Sequence, residues 1–196
     1  MELFVPPAAL SPDAHDAARV AALRRWDILD TPAEAAFDRI ARLAAQVFQV
    51  PIAFVTFLEE ERQFFKACVG VNMVEAPRST SFCTHALKEP DLLIVEDTLL
   101  DARFRDNVFV VQPPHLRFYA GTPLRDADGF AIGTLCVFDT VPHTVTEREQ
   151  RALVELGMIV MDEIVLRKEV GRREEAEREA QAAALRLRQT LDAIPD

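Results

Sequence analysis

"PIAFVTFLEEERQFFKACVG", residues 51–70, is the stretch on which the fold class turns. Two runs of aromatic and β-branched residues, 51–59 and 62–70, are joined by the charged Glu60 and Glu61, a pattern that predicts a β-hairpin. In "PIAFVTFL" and again in "FAIGTLCVF" at 130–138, both alternating faces are apolar. Central strands covered on both sides read this way, whereas a sheet with one wet face alternates. Two layers of cover are therefore expected.

One layer is helical. "DTPAEAAFDRIARLAAQVF", 30–48, places Phe37, Ile40, Leu43, Ala44, Val47 and Phe48 at helical spacing, with Thr31, Pro32 and Glu34 read as a capping box. Upstream, "SPDAHDAARVAALRRWDIL" predicts a first helix with Ser11 as N-cap and Pro12 in the first helical position. After Pro142, Thr146 and Glu149 supply a second capping box, and Leu153, Leu156, Val160 and Ile164 form an apolar stripe. No proline follows before Pro195, so this helix can run about 45 residues, or about 65–70 Å. Its second half is charged, and Ala176, Ala180, Ala183, Leu187 and Leu191 are spaced as a narrow coiled-coil seam. A solvated helix end is the other reading of that half.

The second layer comes from the middle of the chain. "SFCTHAL", 81–87, reads as a short helix capped by Ser79 or Ser81, and "LLIVED", 92–97, as a strand. "LRFYAGTPLRD" and "FAIGTLCVFD", 116–126 and 130–139, form a second hairpin about Asp128 and Gly129. Residues 98–115 between them are too apolar for disorder and are expected to pack as a cover over the sheet. If Asp126 and Gly129 flank a two-residue tip, Tyr119 lies opposite Cys136 and Gly121 opposite Thr134. Arg117, Tyr119, Thr134 and Cys136 then share the face expected to be the pocket wall, and Leu116, Phe118, Ala120 and Leu124 the other.

Composition sets outer bounds. With 196 residues, 49% of them hydrophobic and thirteen Phe, the chain can fill one core of ordinary size and carry an extra element. A formal charge of -10 weighs against nucleic acid or an anionic membrane as partner. Three irregularly spaced cysteines suit a reducing compartment better than a disulfide framework. Residues 1–10 lack the features of a signal peptide, and no uncharged apolar run is long enough for a membrane span, so a cytoplasmic location is expected.

Taken in order, "LDTPAEAAFDRIARLAAQVFQVPIAFVTFLEEERQFFKACVG", "SFCTHA", "DARFRDN", "RFYAGTPL" and "GTLCVFD" resemble a GAF domain of the group found N-terminally in bacterial sensor histidine kinases and diguanylate cyclases. The closing "LRQTLDAIPD" resembles the helical lead-in to a PAS domain. The resemblance implies an α+β, GAF/PAS-like fold: a twisted antiparallel sheet of order 2-1-5-4-3 with helices on both faces, a small-molecule pocket and a long C-terminal helix. It also implies an N-terminal segment over 1–19, the GAF domain over 20–168, and a signalling helix over 169–196. That helix would join a homodimer and lead to a PAS, kinase or cyclase domain in cis.

"STSFCTHAL", 79–87, raises the question of chemistry. Cys83 and His85, two apart on a helix, do not face the same way, and no second Cys/His pair completes a zinc or iron site. Nothing marks His85 or His115 as a haem ligand. Free methionine sulfoxide reductases share the fold, so Cys83 as nucleophile with Cys68 or Cys136 resolving is an enzymatic alternative. Against it, Cys68 and Cys136 lie in apolar strands, where a thiol behaves as a small hydrophobe. Packing under the cover and lining a pocket both stay open for Cys83 and His85. In "DARFRDN", Asp101, Arg103, Asp106 and Asn107 build either a self-contained turn or a polar ligand clamp, and Arg78 before a helix start is a candidate anion holder.

The expected ligand-binding set is Cys83, His85, Asp101, Arg103, Phe104, Asn107, Arg117, Tyr119, Thr134 and Cys136, with the Tyr119 hydroxyl requiring a ligand, His85 or Asp101 as partner. No cofactor and no catalysis are expected, only an unidentified small molecule. The expected role is a sensory input module that relays pocket occupancy through a dimeric helix. A thiol-dependent reductase and a purely structural dimerisation module are the alternatives.

Overall fold

Strands β1 (Ile52–Leu58) and β6 (Ala131–Asp139) are buried along their whole length, as their two apolar faces require. They pair with each other at the centre of a six-stranded antiparallel sheet in a computed structural model that describes residues 12–192. The remaining strands are β2 (Arg62–Val69), β3 (Glu75–Pro77), β4 (Leu93–Val95) and β5 (Phe118–Arg125), in the spatial order β3-β2-β1-β6-β5-β4. With β3 set aside, the other five follow the expected 2-1-5-4-3 order. Strand β3 was not anticipated: it is three residues long and ends in a proline, which suits only a sheet edge.

Helices α1 (Pro12–Arg24), α2 (Ala35–Phe48) and α5 (Glu147–Asp192) bury one face of the sheet. Phe37, Phe57, Phe118, Leu124, Leu135, Leu153 and Val160 meet there, all without solvent exposure. The other face is covered by a 3-10 turn (Arg78–Thr80), α3 (Cys83–Ala86) and the 98–115 segment with its short α4 (Val108–Val111). Phe82, Phe104, Val110 and Leu116 pack from this cover onto Phe54, Tyr119 and Phe138 of the sheet.

Local signals held where their partners stayed local. The Thr146 amide donates to Glu149 Oε2 at 2.8 Å and the Glu149 amide to Thr146 Oγ1 at 3.3 Å, so the second capping box starts α5. The first box does not form. Glu34 holds the N-cap position of α2 without a side-chain cap, and Thr31 Oγ1 donates to the Ile28 carbonyl. Leu43 and Val47 of the α2 stripe stay exposed, leaving Phe37, Ile40, Ala44 and Phe48 to make the contact. Pro12 begins α1, whereas Ser11 lies outside the described residues. Neither Ser79 nor Ser81 is the N-cap of α3; Phe82 is, with Ser81 Oγ accepting from the Cys83 amide.

The second hairpin corrects the expected register. Its tip runs from Asp126 to Phe130, where Asp126 Oδ1 accepts from the amides of Asp128 and Phe130, and Gly129 adopts φ +84. A bulge between Leu124 and Arg125 completes the connection. Tyr119 therefore lies opposite Phe138 and Gly121 opposite Cys136, two residues from the expected pairing. A slip of two preserves the facing of every side chain, so Tyr119, Thr134 and Cys136 still share the covered side. Arg117 does not: it precedes β5 and forks onto Asp97 at 2.9 and 2.7 Å. Leu116, expected on the helical face, packs under the cover.

Candidate functional site

The covered face does not close completely. A cavity of about 130 Å³ remains between the sheet and its cover. Ile52, Phe54 and Phe138 project from the central strands, Gln63 and Phe65 from β2, and Cys83, Phe109 and Leu116 from the cover. Val71 and Met73, on the link between β2 and β3, and Pro114 also line it.

Beneath the cavity lies a small polar cluster. Cys83 Sγ approaches Cys136 Sγ to 3.6 Å, accepts from the Tyr119 hydroxyl at 3.6 Å and from Gln63 Nε2 at 3.5 Å. Burial alone would push the Cys83 thiol up, but its polar neighbours, the hydrogen bond from Cys136 foremost and that from Tyr119 among the rest, bring it down to about 7. Burial, and then the neighbouring Cys83, drive the Cys136 thiol well above the ordinary range. Only one of the two can ionise readily. Among the described residues Thr134 Oγ1 has no partner at hydrogen-bonding distance, yet it sits close enough to bias both thiols. The partner of the Tyr119 hydroxyl is therefore Cys83, not His85 or Asp101.

Of the residues expected to bind a ligand, Cys83 alone lines the cavity. Tyr119, Thr134 and Cys136 form the layer below it. Phe104 buttresses the wall, stacked on Phe82 with ring centroids 4.4 Å apart. His85 packs edge-on against Phe104 from outside, where partial burial lowers its pKa. Asp101 caps the Arg103 amide and pairs with its guanidinium, and Asn107 caps α4 while donating to the Thr80 carbonyl. The "DARFRDN" polar groups thus spend themselves on holding the cover in shape. Arg78 is likewise engaged, on both Asp16 oxygens and the Glu59 carbonyl.

The sequence reading missed Gln63, Phe65, Met73, Phe109 and Pro114. One signal was available: Gln63 is an uncharged polar residue in "RQFFKACV", on a strand whose neighbours are buried on both faces. Among the described residues, no three His, Cys, Asp or Glu side chains converge as a metal site would require.

The GAF domain family model matches residues 32–164. A cyclic di-GMP phosphodiesterase of Pseudomonas aeruginosa is 38% identical over 147 residues, 74% of this chain; the chain spans 25% of that protein's length. The GAF domain of a phosphoenolpyruvate-protein phosphotransferase from Coxiella burnetii matches with TM-score 0.59 and 13% identity, over 83% of this chain and 99% of that one. Its Acinetobacter counterpart matches with TM-score 0.56 and 19% identity, over 79% and 98%. At these identities the structural likeness is one of fold.

Proposed function

The chain belongs to the GAF domain family, and from that premise we propose that it is the sensory input module of a longer signalling protein. A small molecule enters the cavity, and its presence is passed to α5. The observation that carries this reading is that β2 serves both faces. Gln63 and Phe65 form cavity wall, while the adjacent Lys66 buries its ammonium on the helical side. There Lys66 Nζ donates to Thr31 Oγ1 at 2.7 Å, the Pro32 carbonyl at 2.6 Å and Glu34 Oε1 at 2.6 Å. Glu34 Oε1 also accepts from Arg167 Nε of α5 at 2.9 Å, and Arg167 donates on to the Asp27 carbonyl. A shift of β2 on filling the cavity must be absorbed by this chain of contacts or passed to α5.

Helix α5 offers a surface for a second copy. Met158, Ile159, Val165, Leu166 and Val170 are exposed, and Val165 and Leu166 follow Met158 and Ile159 at one-heptad spacing. Beyond Val170 every described side chain is exposed, including Ala176, Ala180 and Ala183 of the expected seam; those of Leu187 and Leu191 lie outside the described ones. We place the linker to a downstream domain over 169–196. The similarity to a cyclic di-GMP phosphodiesterase supports an effector that handles this second messenger, a cyclase or a phosphodiesterase, with a kinase as the alternative.

The relay is tested by amide exchange. Filling the cavity with Ala76→Leu should alter exchange in α5 around residues 163–170, and Glu34→Gln should remove that difference. Identical α5 exchange in the wild type and the filled variant would count against the relay. A second reading, thiol chemistry on a small sulfoxide, is favoured by the Cys83 to Cys136 approach alone. Turnover of free methionine sulfoxide with a thiol reductant, lost in Cys83→Ala, is its test.

A further inference from the structure

We infer that the cavity beneath the cover takes a neutral molecule of one aromatic ring bearing one hydroxyl, a phenol in chemical class, with the hydroxyl on the side-chain amide of Gln63. This rests on the reading of the cavity as a ligand site and adds the kind of ligand.

Size sets the first limit. At about 130 Å³ the cavity is close to the roughly 150 Å³ apolar cavity that holds a benzene molecule in an engineered protein. A nucleotide is far larger than this space.

The walls set the second. Phe54, Phe65, Phe82, Phe109 and Phe138 surround the space. Phe54 meets Phe65 at 66° and Phe82 meets Phe138 at 86°, so the rings of the wall are steeply inclined to one another. A flat ring placed among them finds stacked and edge-on partners at once, which a branched aliphatic of equal volume does not.

Charge sets the third. Among the described residues, no Lys, Arg, His, Asp or Glu lines the cavity. The nearby guanidiniums of Arg78 and Arg103 are consumed by Asp16 and Asp101. An ionised ligand would lose its hydration with no counter-charge in return.

Gln63 supplies the handle. It is 4% exposed and lines the cavity, and its Nε2 spends one proton on a thiol, a weak acceptor, at 3.5 Å. Among the described residues no hydrogen bond reaches its Oε1. A ligand hydroxyl, which both donates and accepts, serves either side of this amide. Of the two hydroxyls at the wall, Thr80 Oγ1 donates to the Pro77 carbonyl, and Ser81 Oγ accepts from the Cys83 amide.

The test is an NMR titration of the intact chain with phenol, benzene and benzoate, alongside xenon as a probe of apolar space. Phenol should shift resonances of Phe65, Met73 and Phe109 saturably, with benzene about fivefold to tenfold weaker and benzoate silent. Gln63→Leu should remove phenol's advantage over benzene. Benzoate binding more tightly than phenol, benzene matching phenol in the wild type, or phenol shifting only residues remote from the cavity would overturn the proposed class. Xenon entering while phenol does not would overturn the class and leave the cavity as a ligand site. If xenon is excluded as well, the ligand-site reading falls with it.

Discussion

The Tyr119 hydroxyl occupies the space beside Gly121, two residues further along β5, where a Cβ would collide with the phenolic oxygen and with the ring carbon that bears it. This glycine is required for room, not for backbone freedom. The vacancy lets the ring lie along its own strand and bring the hydroxyl to Cys83 at the cavity wall.

Gly121→Ala should therefore destabilise the domain by about 1–3 kcal/mol, the usual cost of overpacking a close-packed core. Tyr119→Phe removes the oxygen but not the crowded ring carbon, so it should recover only part of that loss. Urea unfolding of the two single variants and the double variant measures the coupling directly. Additive losses would show that Tyr119 swings clear of the new methyl group.

Breaking the Lys66–Glu34 pair from the acidic side should cost more than replacing the lysine. Glu34→Gln leaves a fully buried ammonium without its counter-charge, and about 1–3 kcal/mol of destabilisation is expected given that Glu34 is a third exposed. Lys66→Met puts an apolar side chain against Phe37, over whose ring the ammonium now sits at 5.4 Å, and should cost less. Thermal unfolding of both variants at neutral pH decides the order.

Acid should expose the tie between α1 and the cover. Two hydrogen bonds from Arg78, and one from Arg19, hold the Asp16 carboxyl well below the usual carboxylate range, against the opposing effect of partial burial. A depressed folded-state pKa contributes stability that is present above the unfolded value near 3.8 and is lost as pH falls below it. Stability of the wild type should thus decline between about pH 4 and pH 2 more steeply than that of Asp16→Asn. Parallel slopes would assign the acid limb to other carboxylates.

The exposed apolar face of α5 should govern assembly. Leu166→Glu together with Ile159→Glu puts like charges into the proposed interface, where two copies would have to bury them. Light scattering should report a monomer with unchanged far-ultraviolet dichroism. A dimer that survives both changes would place the interface elsewhere.

The features legible in the sequence were those encoded within a few residues or by a repeating period. Two apolar faces in 52–58 and 131–139 required central strands with cover on both sides, and both strands are buried throughout. Thr146 and Glu149 lie within one helical turn and cap each other as read. Even the misjudged hairpin tip left Tyr119 and Cys136 on the correct side, because side-chain facing has a period of two and the slip was two. Tertiary structure alone decided what each polar group would meet. Glu34 left its expected box for Lys66 and Arg167, which lie 32 and 133 residues away. Asp101, Arg103 and Asn107 were consumed by their own cover, while Gln63 came to the cavity wall. The physical reason is competition. A polar side chain takes the best partner that folding brings within about 3 Å, and most such partners are distant along the chain. Local pattern determines which face a residue shows, and only the assembled core determines what lies across from it.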